Sequence, residues 1–121
     1  MNTKLLGDKG ETIAADYLEK RGYQICARQY HSPMGEIDLI ARKSGTIVFV
    51  EVKTRRVLRY GTPAQAVNRM KQQRIIQTAY WYVQREYKAE CSCRFDVIEV
   101  YWQENGTFAV RHFENAFEVR E

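Results

Sequence analysis

The chain has 121 residues, 45% of them apolar, and a formal net charge of +4, which suits a single domain over residues 1–121 and leaves little room for a second core. The opening "MNTKLLGDKGE" lacks an apolar region of secretory length and Glu51 interrupts the longest aliphatic run, so a cytoplasmic protein with no membrane partner is expected. Three cysteines, with Cys26 far from Cys91 and Cys93, make neither a disulfide framework nor a four-ligand zinc site.

Leu5, Leu6, Ile13, Ala14, Tyr17 and Leu18 recur at helical spacing, and Lys20-Arg21-Gly22 stops the pattern with cations at the negative dipole end and a glycine cap. The first helix is predicted over 3–21. Alternation predicts strands over 23–29, 36–42 and 46–53. Residues 65–88 contain no Gly or Pro and carry Val67, Met70, Ile75, Ala79, Tyr82 and Val83 at helical intervals, which predicts a second, long helix. Strands over 95–102 and 107–113 flank Asn105-Gly106, a dipeptide typical of hairpin turns. The resulting order is helix, three strands, helix, two strands.

Charge is unevenly placed along this order. Residues 1–52 hold seven Lys/Arg against seven Asp/Glu, residues 86–121 hold four against eight, and residues 53–85 hold eight against none. A basic centre of this kind attracts polyanions, with nucleic acid the usual one for a cytosolic domain.

Between the second and third strands, Lys43-Ser44-Gly45 is the only breaker. A two-residue loop at Ser44-Gly45, or a four-residue loop from 43 to 46, opposes Arg42 to Ile47, Ile40 to Phe49, Asp38 to Glu51 and Glu36 to Lys53. Opposed side chains then lie roughly 4.5–5.5 Å apart at Cβ, and the four charged groups share one face. A one-residue slip, through a three-residue bulged loop, scatters them over both faces.

Asp38 opposite Glu51 sets like charges together at the ends of strands rich in Val, Ile, Phe and Leu, which is destabilising without a cation. Lys53 offsets one carboxylate, and an interstrand salt-bridge cluster is the bland account. The surplus charge comes from hard oxygen donors with no nearby Cys or His, a set that suits Mg2+ or Mn2+ and disfavours zinc. Main-chain carbonyls and water complete such a site, with the Val52 carbonyl a candidate.

Asp38 followed by Glu51-Val52-Lys53 on the next strand resembles the D…ExK signature of the PD-(D/E)xK nucleases. The wider match of "GEIDLIA", "VFVEVKTR", "YGTPAQAV" leading into a Lys71/Arg74 helix, and "RFDVIEV" resembles the bacterial YraN family, considered similar to archaeal Holliday junction resolvases. This resemblance implies an α/β, restriction-endonuclease-like core, a central mixed sheet flanked by helices. It implies metal ligation by Asp38 and Glu51, a catalytic role for Lys53, an accessory role for Glu11 on the first helix, and a homodimer. Ile37 stands where the superfamily name has proline.

Within that reading Glu36, expected opposite Lys53, either orients the lysine and a metal-bound water or forms a strand-end salt bridge. Arg55, Arg56, Arg59, Asn68, Lys71 and Arg74 form the expected phosphate-backbone set. Tyr60 is either a base-stacking or a core residue, His31 is a loop residue near Gly35, His112 receives no role, and Asp96 either makes a structural contact or caps the site's far edge. Three functions compete: a metal-dependent DNA endonuclease, with branched or flapped DNA the substrate in view; a non-catalytic nucleic-acid-binding module; and a scaffold whose charged cluster is a salt-bridge network.

Overall fold

A computed structural model describes residues 3–55, 67–87 and 91–119. Its elements are α1 (Thr3–Lys20), β1 (Gln24–Ser32), β2 (Gly35–Lys43), β3 (Thr46–Arg55), α2 (Arg69–Glu86), β4 (Ser92–Trp102) and β5 (Phe108–Phe117). The fold is α/β in the order read from the sequence, with helices on both faces of a five-stranded mixed sheet.

The strands lie in chain order, β1-β2-β3-β4-β5. All neighbours are antiparallel except β3 and β4, which run parallel and are joined across α2. A parallel pair needs such a crossover, whereas the other pairs close through short turns. Gly22 (φ +87°) stops α1 as expected, and the Tyr23 amide donates to the Leu18 carbonyl at 3.1 Å. The Asn105-Gly106 turn is present too, closed by Gln103 N–H to Thr107 O at 2.9 Å.

Alternation along β3 divides the core between the two helices. Ile47 and Phe49 join Ile75, Ala79 and Tyr82 of α2, while Val48 and Val50 join Ala14, Ala15 and Leu18 of α1. By the same period Glu51 and Lys53 continue the α2 face, and Val52 and Thr54 the α1 face.

The β2–β3 turn has the two-residue form, with Ser44 (φ +51°) and Gly45 (φ +79°) both left-handed, as a type I′ hairpin requires. Lys43 accordingly pairs with Thr46, Arg42 with Ile47 and Ile40 with Phe49. The ladder ends at Leu39–Val50. The expected backbone pairs Asp38–Glu51 and Glu36–Lys53 therefore do not form. Beyond Leu39 the strand keeps only its β1 partner, with Ile37 opposite Tyr30 and Glu36 opposite His31.

A break in the pleat explains the departure. Ile37 and Ile40 both belong to the α2-side core, although strict alternation would put residues three apart on opposite faces. Between the pairs Arg28–Leu39 and Tyr30–Ile37, Gln29 on β1 adopts a left-handed conformation, φ +47°. The sheet thus opens at the C-terminal end of β3, and Asp38 lies in the opening.

Candidate active site

Asp38 Oδ2 accepts a hydrogen bond from the Val52 amide at 2.7 Å. A strand residue's N–H and C=O point toward the same neighbour, so the Val52 carbonyl also addresses the opening. The Asp38 carboxyl is pushed up to about 8, first by burial and next by a hydrogen bond to the Glu51 carboxylate, against the pull of the Val52 amide. The nearby Glu51 and Glu11 side chains thus favour the protonated form of Asp38, as expected when like charges are forced together.

Glu51 is 8% exposed, and its counter-ion comes from α2: Lys71 Nζ lies 3.1 Å from Glu51 Oε2. Lys53, two residues along the same strand face, is partly buried; burial and then the Lys71 ammonium hold its pKa below the ordinary lysine value. For Lys71, burial pulls downward, but Glu51 more than offsets it and the pKa is raised. Two cations and two carboxylates therefore meet where β2 leaves β3.

On the α1 side of the opening lies a cavity of about 320 Å3, lined by residues including Asp8, Glu11, Gln29, Asp38, Val52 and Thr54. Glu11 is 7% exposed. Arg28 Nε lies 3.5 Å from its Oε1 and Gln29 Nε2 donates to its Oε2 at 3.2 Å. Its charge adds to the upward pressure on Asp38. Gly10 permits the approach of α1, because a Cβ there would stand 2.0 Å from Thr54 Oγ1.

The donors around the opening are all hard oxygens: the Asp38, Glu51 and Glu11 carboxylates and the Val52 carbonyl. The crowding of Asp38 against Glu51, which raises the Asp38 pKa, marks a place where a divalent cation would relieve repulsion, and the set fits Mg2+ or Mn2+. Among the described residues no three His, Cys, Asp or Glu side chains converge tightly enough to hold an ion by themselves. Backbone and water oxygens would have to complete the shell.

The remaining predicted residues are dispersed. Glu36 faces His31, with Oε2 3.1 Å from Nδ1 and both side chains exposed; it does not face Lys53, because the β2–β3 ladder has already ended. Arg55 Nε lies 2.8 Å from Glu99 Oε2, so its guanidinium is held by a buried carboxylate that Arg111 also approaches at 3.6 Å. Asn68 caps α2, its Oδ1 accepting from the Lys71 amide at 2.9 Å. Arg74 is exposed. Arg56, Arg59 and Tyr60 lie outside the described residues.

Asp96 makes the structural contact. Fully buried, it takes two bonds from Arg94 at 2.9 Å, one from the Asn115 amide at 2.9 Å and a contact of 2.7 Å from His112 Nε2. His112, given no role from sequence, belongs to this network, its Nδ1 lying 3.3 Å from Tyr17 Oη. Sequence reasoning also missed Gln29, which touches Glu11 and borders Asp38, and Glu99. The available signal for Glu99 was the two-residue period of "RFDVIEV", which sets it on one face with buried Phe95 and Val97.

Comparison with known proteins places the chain among relatives that share nearly its full length. The model of "Uncharacterised protein family UPF0102" matches residues 10–100. A UPF0102 protein of Caldicellulosiruptor saccharolyticus is 43% identical, covering 97% of this chain and 100% of its own. One from Symbiobacterium thermophilum is 46% identical, covering 95% and 98% respectively. Among solved structures, that of Pyrococcus furiosus SfsA in complex with Ca2+ aligns with a TM-score of 0.42 at 16% identity, covering 98% of this chain and 66% of that one. No described helix is long and apolar enough to cross a membrane. The extent of the family match and the level of identity establish that this chain belongs to UPF0102, the YraN family.

Proposed function

We propose that this protein is a metal-dependent endonuclease that hydrolyses phosphodiester bonds in DNA, with Mg2+ or Mn2+ held by Asp38, Glu51 and the Val52 carbonyl. The observation that carries the reading is the convergence of the Asp38 and Glu51 carboxyls beside Lys53, in a sheet opening where the Val52 amide fixes Asp38 Oδ2. When bound, the cation would supply charge neutralisation at phosphorus and lower the pKa of an attacking water.

The chain's own residues account for the rest. Lys53 sits near the carboxylates with its ammonium pKa held down by burial and Lys71, a condition that suits either proton removal from water or contact with a charged phosphoryl oxygen. Glu11 borders the cavity next to Asp38 and is placed to orient water there. Arg69, Arg74 and Arg85 present exposed charge along α2, suited to the phosphate backbone without reading bases. Branched or flapped DNA is the substrate class we favour, with a homodimer as the assembly.

The test is cleavage of labelled four-way junction, flap, single-stranded and duplex DNA with Mg2+ or Mn2+, alongside Glu51→Ala and Lys53→Ala. Cation-dependent cutting that both substitutions abolish is the expected result. Binding without cutting on every substrate would replace the nuclease with a DNA-binding module, a reading favoured by the engagement of Glu51 with Lys71. Neither binding nor cutting would leave the salt-bridge scaffold.

A further inference from the structure

Glu51 takes its counter-ion from another element, and the position of that ion is unfavourable for the helix that carries it. Lys71 is the third residue after the cap Asn68, in a first turn that contains no acidic residue. A cation at this end opposes the helix dipole, which favours an anion. Helix stability therefore gives no reason for Lys71; its ammonium is stabilised by the Glu51 carboxylate at 3.1 Å. The side chain is 43% exposed, so the ammonium can turn outward while Ile75 and Ala79 keep α2 on the core.

Lys53 stands two residues from Glu51 on the same strand face, so the Lys71 ammonium that contacts Glu51 sets its charge against a second cation. A divalent cation on Glu51 would add a third positive centre to this small volume. The ammonium of Lys71, on a flexible stem reaching from the helix, is the group best able to leave. Outside the opening it joins exposed Arg69 and Arg74 of the same helix, and a phosphate there would satisfy both the ammonium and the positive end of α2.

We propose that Lys71 competes with the divalent cation for Glu51 and, once displaced, contacts a substrate phosphate, so that cation and DNA each strengthen binding of the other. The inference rests on the metal-dependent reading above. Reciprocity follows from linkage: if the cation frees a DNA contact, DNA must favour the cation by the same factor.

The experiment measures Mn2+ binding by calorimetry for the wild-type protein and for Lys71→Met, which keeps the aliphatic stem and removes the charge. DNA affinity is measured in parallel by anisotropy on a labelled four-way junction, with and without Ca2+, an ion of the same oxygen preference. The expected result is Mn2+ affinity raised roughly two- to fivefold in the variant, the scale of a partly exposed ion pair, with the Ca2+-induced gain in DNA affinity reduced. Equal or weaker Mn2+ binding by the variant, with wild type binding Mn2+, overturns the competition and leaves the metal reading standing. Failure of both proteins to bind Mn2+ overturns the metal reading and this inference with it. Lys71→Gln supplies the same comparison should the Met variant lose its fold by circular dichroism.

Discussion

The Val52 amide donates to Asp38 Oδ2 over 2.7 Å, so a side chain of β2 takes the place that a backbone carbonyl would hold in an unbroken ladder. This substitution lets β2 leave β3 without orphaning a backbone donor. The sheet opens and the carboxylate is fixed by the same hydrogen bond.

The first prediction follows from the raised Asp38 pKa. Burial, then Glu51, pushes its carboxyl up to about 8 from an ordinary 3.8, so the folded protein keeps a proton that the unfolded chain releases. Stability from this group is fully present below the unfolded value and is lost as pH rises through the folded one. Thermal unfolding in chelator from about pH 5 to about pH 9 should show a decline that Asp38→Asn flattens, the variant being at least as stable as wild type at about pH 8. Equal slopes would assign the trend to another group.

Gly10 should resist even alanine. The added Cβ would meet Thr54 Oγ1 at 2.0 Å and Cγ2 at 3.0 Å, and a β-branched side chain in a strand has little freedom to turn away. Gly10→Ala should cost about 1–2 kcal/mol in a denaturant titration, overpacking outweighing the better helix propensity of Ala. In a Thr54→Ala background, which leaves only the contact with the residue-54 Cβ at 3.1 Å, most of that cost should disappear. A cost that persists there would point away from this contact.

Asp96 predicts a purely structural phenotype. Its carboxylate receives Arg94, His112 and the Asn115 amide, and despite burial these partners hold its pKa below the ordinary value. Asp96→Ala should destabilise by about 3–5 kcal/mol, the cost of breaking a buried pair, with Asp96→Asn milder because it keeps an acceptor. Mn2+ affinity of the folded fraction should not change. A selective loss of metal binding would instead connect this network to the site.

Gln29 separates conformation from chemistry. Its φ of +47° is costly for a residue with a side chain, yet its amide reaches Glu11. Gln29→Gly should raise or preserve stability while lowering cleavage and Mn2+ affinity. Unchanged activity would reduce Gln29 to a bulge residue.

Periodicity made the element order and the β2–β3 register readable, because Ser44-Gly45 permits few turns and the flanking residues alternate cleanly. Asp38, Glu51 and Lys53 stand out as charges set into apolar strands, but the Asp38–Glu51 opposition that the register predicts does not form; Asp38 reaches β3 through the Val52 amide instead. Partners from other elements could not be read. The Lys71–Glu51 bridge depends on where α2 lies over the sheet, and the Arg55–Glu99 bridge on β4 running parallel beside β3. Glu36 was misplaced because opposition was extended past Leu39, and nothing in Glu36-Ile37-Asp38 discloses that β2 parts from β3 there while staying paired with β1. Gln29 is equally silent in sequence, as left-handed geometry at a glutamine comes from tertiary packing.

The division of charge along the chain also bears on how the protein assembles. Glu11, Asp38 and Glu51 all belong to the segment from α1 to β3, whose strand pairs are local, while Lys71 arrives with α2. An emerging chain thus completes the strands that hold these carboxylates before α2 docks and brings the Lys71 counter-ion to Glu51. That docking is driven by charge as well as by apolar burial, and added salt, by weakening the attraction, should slow it more than it slows formation of the preceding meander.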